Sequence, residues 1–158
     1  MTELNNEQKQ AFAKAAALCS RAEKSPGAIQ KKLGQWGLAP EEAEAVMQLL
    51  FQQKFLDEER FASSYVRDKF RFNQWGRVKI AFHLKAEGIS GPIISGAMDE
   101  INEDDYRDSL KRLLADKIRK TKAANHYDLK AKVVRFAQSR GFEPDLIFSI
   151  FDQLSTTD

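Results

Sequence analysis

Residues 55–89, FLDEERFASSYVRDKFRFNQWGRVKIAFHLKAEGI, run from Phe55 to Ile89, and their periodicity decides the fold. Asp57 offers a carboxylate to the free N–H groups of a helix start, while Glu58 and Glu59 favour the positive end of its dipole. Advancing about 100° per residue brings Arg67 and Arg71 into line with Arg60. Phe61, Ala62, Tyr65, Val66, Phe70 and Phe72 fall on the opposite side, which predicts an apolar core face and a guanidinium face. Lys69 lies inside the apolar arc, so its stem is expected to pack while its ammonium reaches solvent. After the turn Asn73-Gln74-Trp75-Gly76, residues Arg77 to Glu87 predict a second helix with Ile80, Ala81 and Leu84 inward. Gly88 can take the left-handed conformation that ends a helix, and Ile89 can then fold back onto Leu84.

Working outward, the same device occurs three times. Gly37, Gly88 and Gly141 are 51 and 53 residues apart, and each is followed by an apolar residue, Leu38, Ile89 or Phe142. Leu33, Leu84 and Ala137 stand four residues before the glycines, and Ile29, Ile80 and Val133 stand eight before. Where the earlier residue shrinks to Ala137, the follower grows to Phe142. Pro40, Pro92 and Pro144 then open a further helix, at a first-turn position where the missing N–H costs nothing. A periodic pattern of this kind is an internal repeat. It predicts an all-α chain of three tandem three-helix repeats, at residues 1–56, 57–103 and 104–158, stacked into an elongated, curved array.

In the first repeat the spacing predicts helices from Gln8 to Ser20, from Pro26 through Gln35 with Ser25 as cap, and from Pro40 to about Gln53. In the third, Tyr106, Leu110, Leu113, Leu114 and Ile118 form a helical stripe beginning near Asp104. Thr121 to His126 reads as a polar connection, and Asp128 as the cap of a helix carrying Leu129, Val133, Phe136 and Ala137. The tail from Ser155 to Asp158 is expected to be loose.

The run Leu56-Asp57-Glu58-Glu59-Arg60-Phe61-Ala62-Ser63-Ser64-Tyr65-Val66-Arg67, followed by Gly76, Lys79-Ile80, Leu84 and Lys85-Ala86-Glu87-Gly88-Ile89, closely resembles the central region of the RecX family. Leu18-Cys19-Ser20-Arg21-Ala22-Glu23-Lys24-Ser25 with Lys32-Leu33 resembles that family's first repeat, and the likeness extends over roughly residues 15 to 150. Ala22 departs from the pattern where a second basic residue is common, and Arg77 where proline often follows Gly76. The resemblance implies a bacterial regulatory protein that associates with the RecA recombinase and its filaments on DNA. It implies restraint of ATP hydrolysis, strand exchange and coprotease function, by a body lying in the filament groove.

The chain has 158 residues, 42% hydrophobic and 30% charged, with a net charge of only +2, so bulk charge does not announce a nucleic-acid binder. Its one cysteine, Cys19, fits a reducing compartment and reads as a small packing residue. The amino terminus lacks the pattern of a signal peptide and no long apolar span occurs, so a soluble, cytoplasmic protein with no membrane partner is expected; separately, a monomer is expected. His83 and His126 stand apart from any cysteine or carboxylate at ligand spacing, and no phosphate-cradling glycine loop is present. No catalytic residue, metal site or cofactor is predicted, and His83 reads as a solvated helix residue.

Charge placement says more. Arg60, Arg67, Lys69, Arg71, Arg77, Lys79 and Lys85 are accompanied by the single acid Asp68. Lys111, Arg112, Lys117, Arg119, Lys120 and Lys122 contain only Asp116, and Lys130, Lys132, Arg135 and Arg140 contain none. Regular stacking of the repeats would join these helices into a basic strip. Three arginines at one rotational position suit phosphates or carboxylates better than mere solubility. The predicted RecA- or DNA-contacting residues are therefore Arg60, Arg67, Arg71, Arg77, Lys79 and Lys85 first, then Lys111, Arg112, Arg119 and Arg135. The partner is the RecA filament, with single- or double-stranded DNA as the alternative; a helical adaptor for another acidic protein ranks third. Phe70, Phe72 and Trp75 are expected to pack, whereas Phe82 points away from Ile80 and Leu84, toward a neighbouring repeat or a partner.

Overall fold

A computed structural model describes residues 3–155. The described residues form nine α-helices and no strand: α1 (Asn6–Arg21), α2 (Pro26–Gln35), α3 (Pro40–Gln52), α4 (Glu58–Arg71), α5 (Arg77–Ala86), α6 (Gly91–Met98), α7 (Glu103–Lys120), α8 (His126–Ser139) and α9 (Pro144–Ser155). Ser155 is thus the last helical residue, and the rest of the tail expected to be loose lies outside the described residues.

The three glycines close their helices in one way. Gly37, Gly88 and Gly141 have φ of 93, 85 and 91°, where only glycine is unstrained. Each glycine N–H donates to the carbonyl three residues earlier: Gly34 at 3.1 Å, Lys85 at 3.0 Å and Gln138 at 2.9 Å. Each apolar follower donates five residues back, Leu38 to Leu33 at 3.2 Å, Ile89 to Leu84 at 3.1 Å and Phe142 to Ala137 at 3.3 Å. The pairs of bonds satisfy carbonyls that a helix end leaves free, and all three followers are buried.

Helix starts follow local chemistry too. Asn5 and Gln8 form a reciprocal capping box, Ser25 Oγ accepts from the Ala28 N–H, and Asp57 Oδ1 accepts from the Arg60 N–H at 2.9 Å. The cap expected at Asp128 is instead Asn125, whose side chain accepts from the Asp128 N–H, so the helix starts at His126 within the predicted connection. Asp128 turns back to accept from the Ala124 N–H at 3.0 Å.

The chain divides into two compact units, one of residues up to Ser64 with Leu84–Ile94, the other of Tyr65–His83 with residues from Ser95 onward. The first packs Ala15, Ile29, Leu33, Val46 and Leu50 together, with Phe12 edge-on to Phe55 at 5.8 Å. The second packs Tyr106, Leu110, Leu114, Val133, Ile147 and Phe151. Burial of each such leucine or isoleucine contributes roughly 1.5–3 kcal/mol. Helices α4, α5 and α6 supply residues to both units, and their Ala62, Val66, Ile80, Leu84, Ile94 and Ala97 are buried. Phe72, expected on the apolar arc, is 79% exposed, because it follows the last residue of α4 and the arc ends before it.

In each unit one helix start meets another helix end. In the first unit, Ser25 Oγ donates to Glu87 Oε2 at 2.6 Å, and a Cβ on Gly27 would lie 3.2 Å from the Glu87 carbonyl oxygen. In the second, the N–H groups of Gly76 and Val78, at the start of α5, donate to the carbonyls of Arg140 and Gly141, beyond α8, at 2.7 and 2.9 Å. Free donors of one helix end thereby satisfy free acceptors of another. The approach leaves no space for side chains: a Cβ on Gly76 would lie 2.4 Å from the Gly141 oxygen, and one on Gly141 would lie 2.2 Å from the Lys79 Cβ.

Candidate binding surfaces

Two of the arginines predicted to reach a partner are engaged within the chain. Arg60 donates to Glu23 and to the carbonyls of Lys54 and Phe55, at 3.1 and 3.3 Å, and its hydrogen bond to Glu23 holds the guanidinium pKa above its ordinary value. Arg77 lies in the second unit with its guanidinium carbon 3.8 Å from the centre of the Tyr106 ring. It pairs with Glu103 and, at 3.1 Å, with Glu143. Burial lowers the Arg77 pKa, but the hydrogen bonds to Glu103 and Glu143 outweigh it and raise the pKa overall. The hydroxyl of fully buried Tyr106 accepts from the Arg77 N–H at 2.9 Å and donates to Glu143. Burial, reinforced by that carboxylate, pushes the Tyr106 pKa far up.

Arg67, Arg71 and Arg112 are brought together. Arg67 and Arg71 line a groove of about 280 Å³ with Val66, Phe70, Glu100, Ile101, Asn102 and Asp105. An adjoining groove of about 290 Å³ shares Phe70, Arg71 and Asp105 and adds Gln74, Asp108, Ser109 and Arg112. Both lie between α4 and the first turns of α7, whose dipole explains its acids. Among the described residues none of these three arginines forms an ion pair. The groove thus offers three guanidinium groups beside three carboxylates and an aromatic ring.

A second surface surrounds Trp75. Its backbone N–H donates to the Lys69 carbonyl at 3.1 Å, closing the turn as expected. Lys69 departs from expectation: its Nζ lies 4.9 Å from the Trp75 ring centre and 5.4 Å from that of Tyr65, since the rings offer a cation their π faces. Lys79 Nζ lies 4.5 Å from the Trp75 ring centre. His83, expected to be solvated, is half-buried, its ring 4.8 Å from Trp75 and 5.5 Å from Phe82. Phe82 itself is 70% exposed.

The remaining predicted residues are dispersed. Lys85, Lys111 and Arg135 are exposed and outside every ion pair among the described residues, whereas Arg119 pairs with Asp116 one turn earlier. Sequence spacing missed Tyr106, Glu103 and Glu143 as the partners of Arg77. An available signal was the arginine itself, placed in the first turn of a helix against the unfavourable end of the dipole. Among the described residues no helix is long and apolar enough to cross a membrane, and no three metal-binding side chains gather.

Fold and surfaces together define an all-helical protein of glycine-closed helices that carries a mixed-charge groove and a separate aromatic, cationic patch. The family model for RecX, second three-helix domain, matches residues 57–98, and that for RecX, third three-helix domain, matches residues 103–151. Regulatory protein RecX of Halorhodospira halophila is 31% identical over 135 residues, covering 84% of this chain and 81% of that protein. The chain belongs to the RecX family.

Regulatory protein RecX of Clostridium perfringens is 28% identical over 82% of this chain, and that of Lactobacillus johnsonii 24% over 77%. The chain spans 61% and 45% of the lengths of these two relatives. A crystal structure of regulatory protein RecX shares the fold with a TM-score of 0.85 at 23% identity, over 96% of this chain and 79% of its own. RecX from Lactobacillus salivarius gives 0.85 at 17% identity, over 95% and 97%.

Proposed function

We propose that the chain is a non-catalytic, cytoplasmic regulator that binds RecA and RecA–DNA filaments and restrains their ATPase, strand-exchange and coprotease activities. Family membership supplies the partner class, and the observation that favours direct protein contact is the groove of Arg67, Arg71 and Arg112. A DNA backbone entering it would meet Glu100, Asp105 and Asp108 as well as the arginines. A protein surface bearing both signs of charge and an apolar side chain fits better. Lys111 and Arg135 in the second unit, and separately Lys85 in the first, stay exposed and available for contact, while Arg60 and Arg77 serve the fold.

The test is ATP hydrolysis by preformed filaments of the cognate RecA on single-stranded DNA, with this protein added from far below equimolar. Loss of activity well below one molecule per RecA is expected, and reversal of charge at both Arg67 and Arg71 to glutamate removes it while helicity stays unchanged. Loss only at amounts that coat the DNA would replace this reading with plain DNA binding. Unchanged inhibition by the double reversal would take the groove out of it.

A further inference from the structure

Helix α5 is apolar on two sides. Ile80 and Leu84 have no exposed surface, whereas Val78 and Phe82, one turn apart, are 54% and 70% exposed. An apolar residue on the outer side of a helix whose inner side already fills the core contributes nothing to that core. The His83 ring touches both Phe82 and Trp75, and the ammonium groups of Lys69 and Lys79 are both held against Trp75. Neither has a carboxylate within ion-pair distance among the described residues. Two cations drawn to one indole repel each other until an anion joins them, and the ring contacts restrict their motion beforehand. The edge-on contact with His83 likewise orients the Phe82 ring. The chain from Lys69 to Ala86 contains no acid at all, in contrast to the groove with its three carboxylates.

We infer that Phe82, with Lys69 and Lys79 over Trp75, is a binding site for single-stranded nucleic acid. A base stacks on Phe82 and the phosphates beside it meet the two ammonium groups. Exposed aromatic surface selects a single strand, whose bases present free π faces that a duplex hides. The inference goes beyond the RecA reading and does not rest on it.

Binding of a labelled oligothymidylate of about 12 nucleotides to the full chain tests it. Phe82→Ala is expected to weaken binding about 10-fold, and Phe82→Trp to retain it. In a Trp36→Phe background the oligonucleotide quenches Trp75 fluorescence. Lys69→Gln with Lys79→Gln lowers the salt dependence by about one to two counterions. The Arg67 and Arg71 reversals leave the affinity unchanged, which separates this site from the RecA groove. Wild-type affinity in Phe82→Ala overturns the inference. So does loss of oligonucleotide binding in the groove variant, or a defect of Phe82→Ala seen only on RecA filaments, which would make this surface a protein contact.

Discussion

Tyr106 shows how one phenol can hold three elements: its hydroxyl accepts from the backbone at the start of α5, belongs to α7, and donates to Glu143 just before α9. Tyr106→Phe leaves the packing but strands a backbone donor and removes a partner from the carboxylate, a loss of roughly 1–3 kcal/mol in urea denaturation. The folded pKa of this phenol is raised above its unfolded value near 10, so its contribution is intact below that pH and is lost as pH rises beyond it. Stability of the parent is therefore expected to fall above pH 10 more steeply than that of Tyr106→Phe; parallel profiles would show that this phenol ionises freely. At this scale the sequence was only partly legible. Periodicity identified Ala62, Val66, Ile80 and Leu84 as buried, and Asp57 as a cap, because those facts are local. It counted Arg60 and Arg77 among free contacts because their partners Glu23 and Glu143 stand 37 and 66 residues away. Lys69 and His83 likewise took their places from a tryptophan that spacing did not orient toward them.

At the scale of the element, the three glycine-closed helix ends were readable, since positive φ, a short spacing and an apolar follower are one local grammar. What surrounds each glycine was not readable, and it separates them. At Gly37 a Cβ would meet nothing within 4 Å, so Gly37→Ala carries only the left-handed backbone penalty, about 1–2 kcal/mol. At Gly141 the same penalty is joined by a collision at 2.2 Å with Lys79 on α5. Gly141→Ala is expected to be clearly the more destabilising of the two in chemical denaturation. Equal losses would mean that the helix start and helix end can part at little cost. The displaced cap of α8 has a similar origin: both Asn125 and Asp128 are competent caps, and the extended backbone at Asn125 selects between them.

For the whole molecule, α4, α5 and α6 belong in part to each compact unit, so neither unit is complete without residues whose helices continue into the other. Trp36 lies in the first unit and Trp75 in the second. Trp75→Phe and Trp36→Phe leave one reporter in each, and their fluorescence transitions in urea are expected to coincide. Separate midpoints would show two domains that unfold alone. The contact of α5 with the end of α8 is made of main-chain N–H and C=O groups, which every sequence possesses. Mutational drift therefore has few residues to preserve there beyond Gly76, Gly141 and Tyr106, whose hydroxyl accepts from the Arg77 N–H, so a lineage can lose much of its recognisable identity and keep the joint.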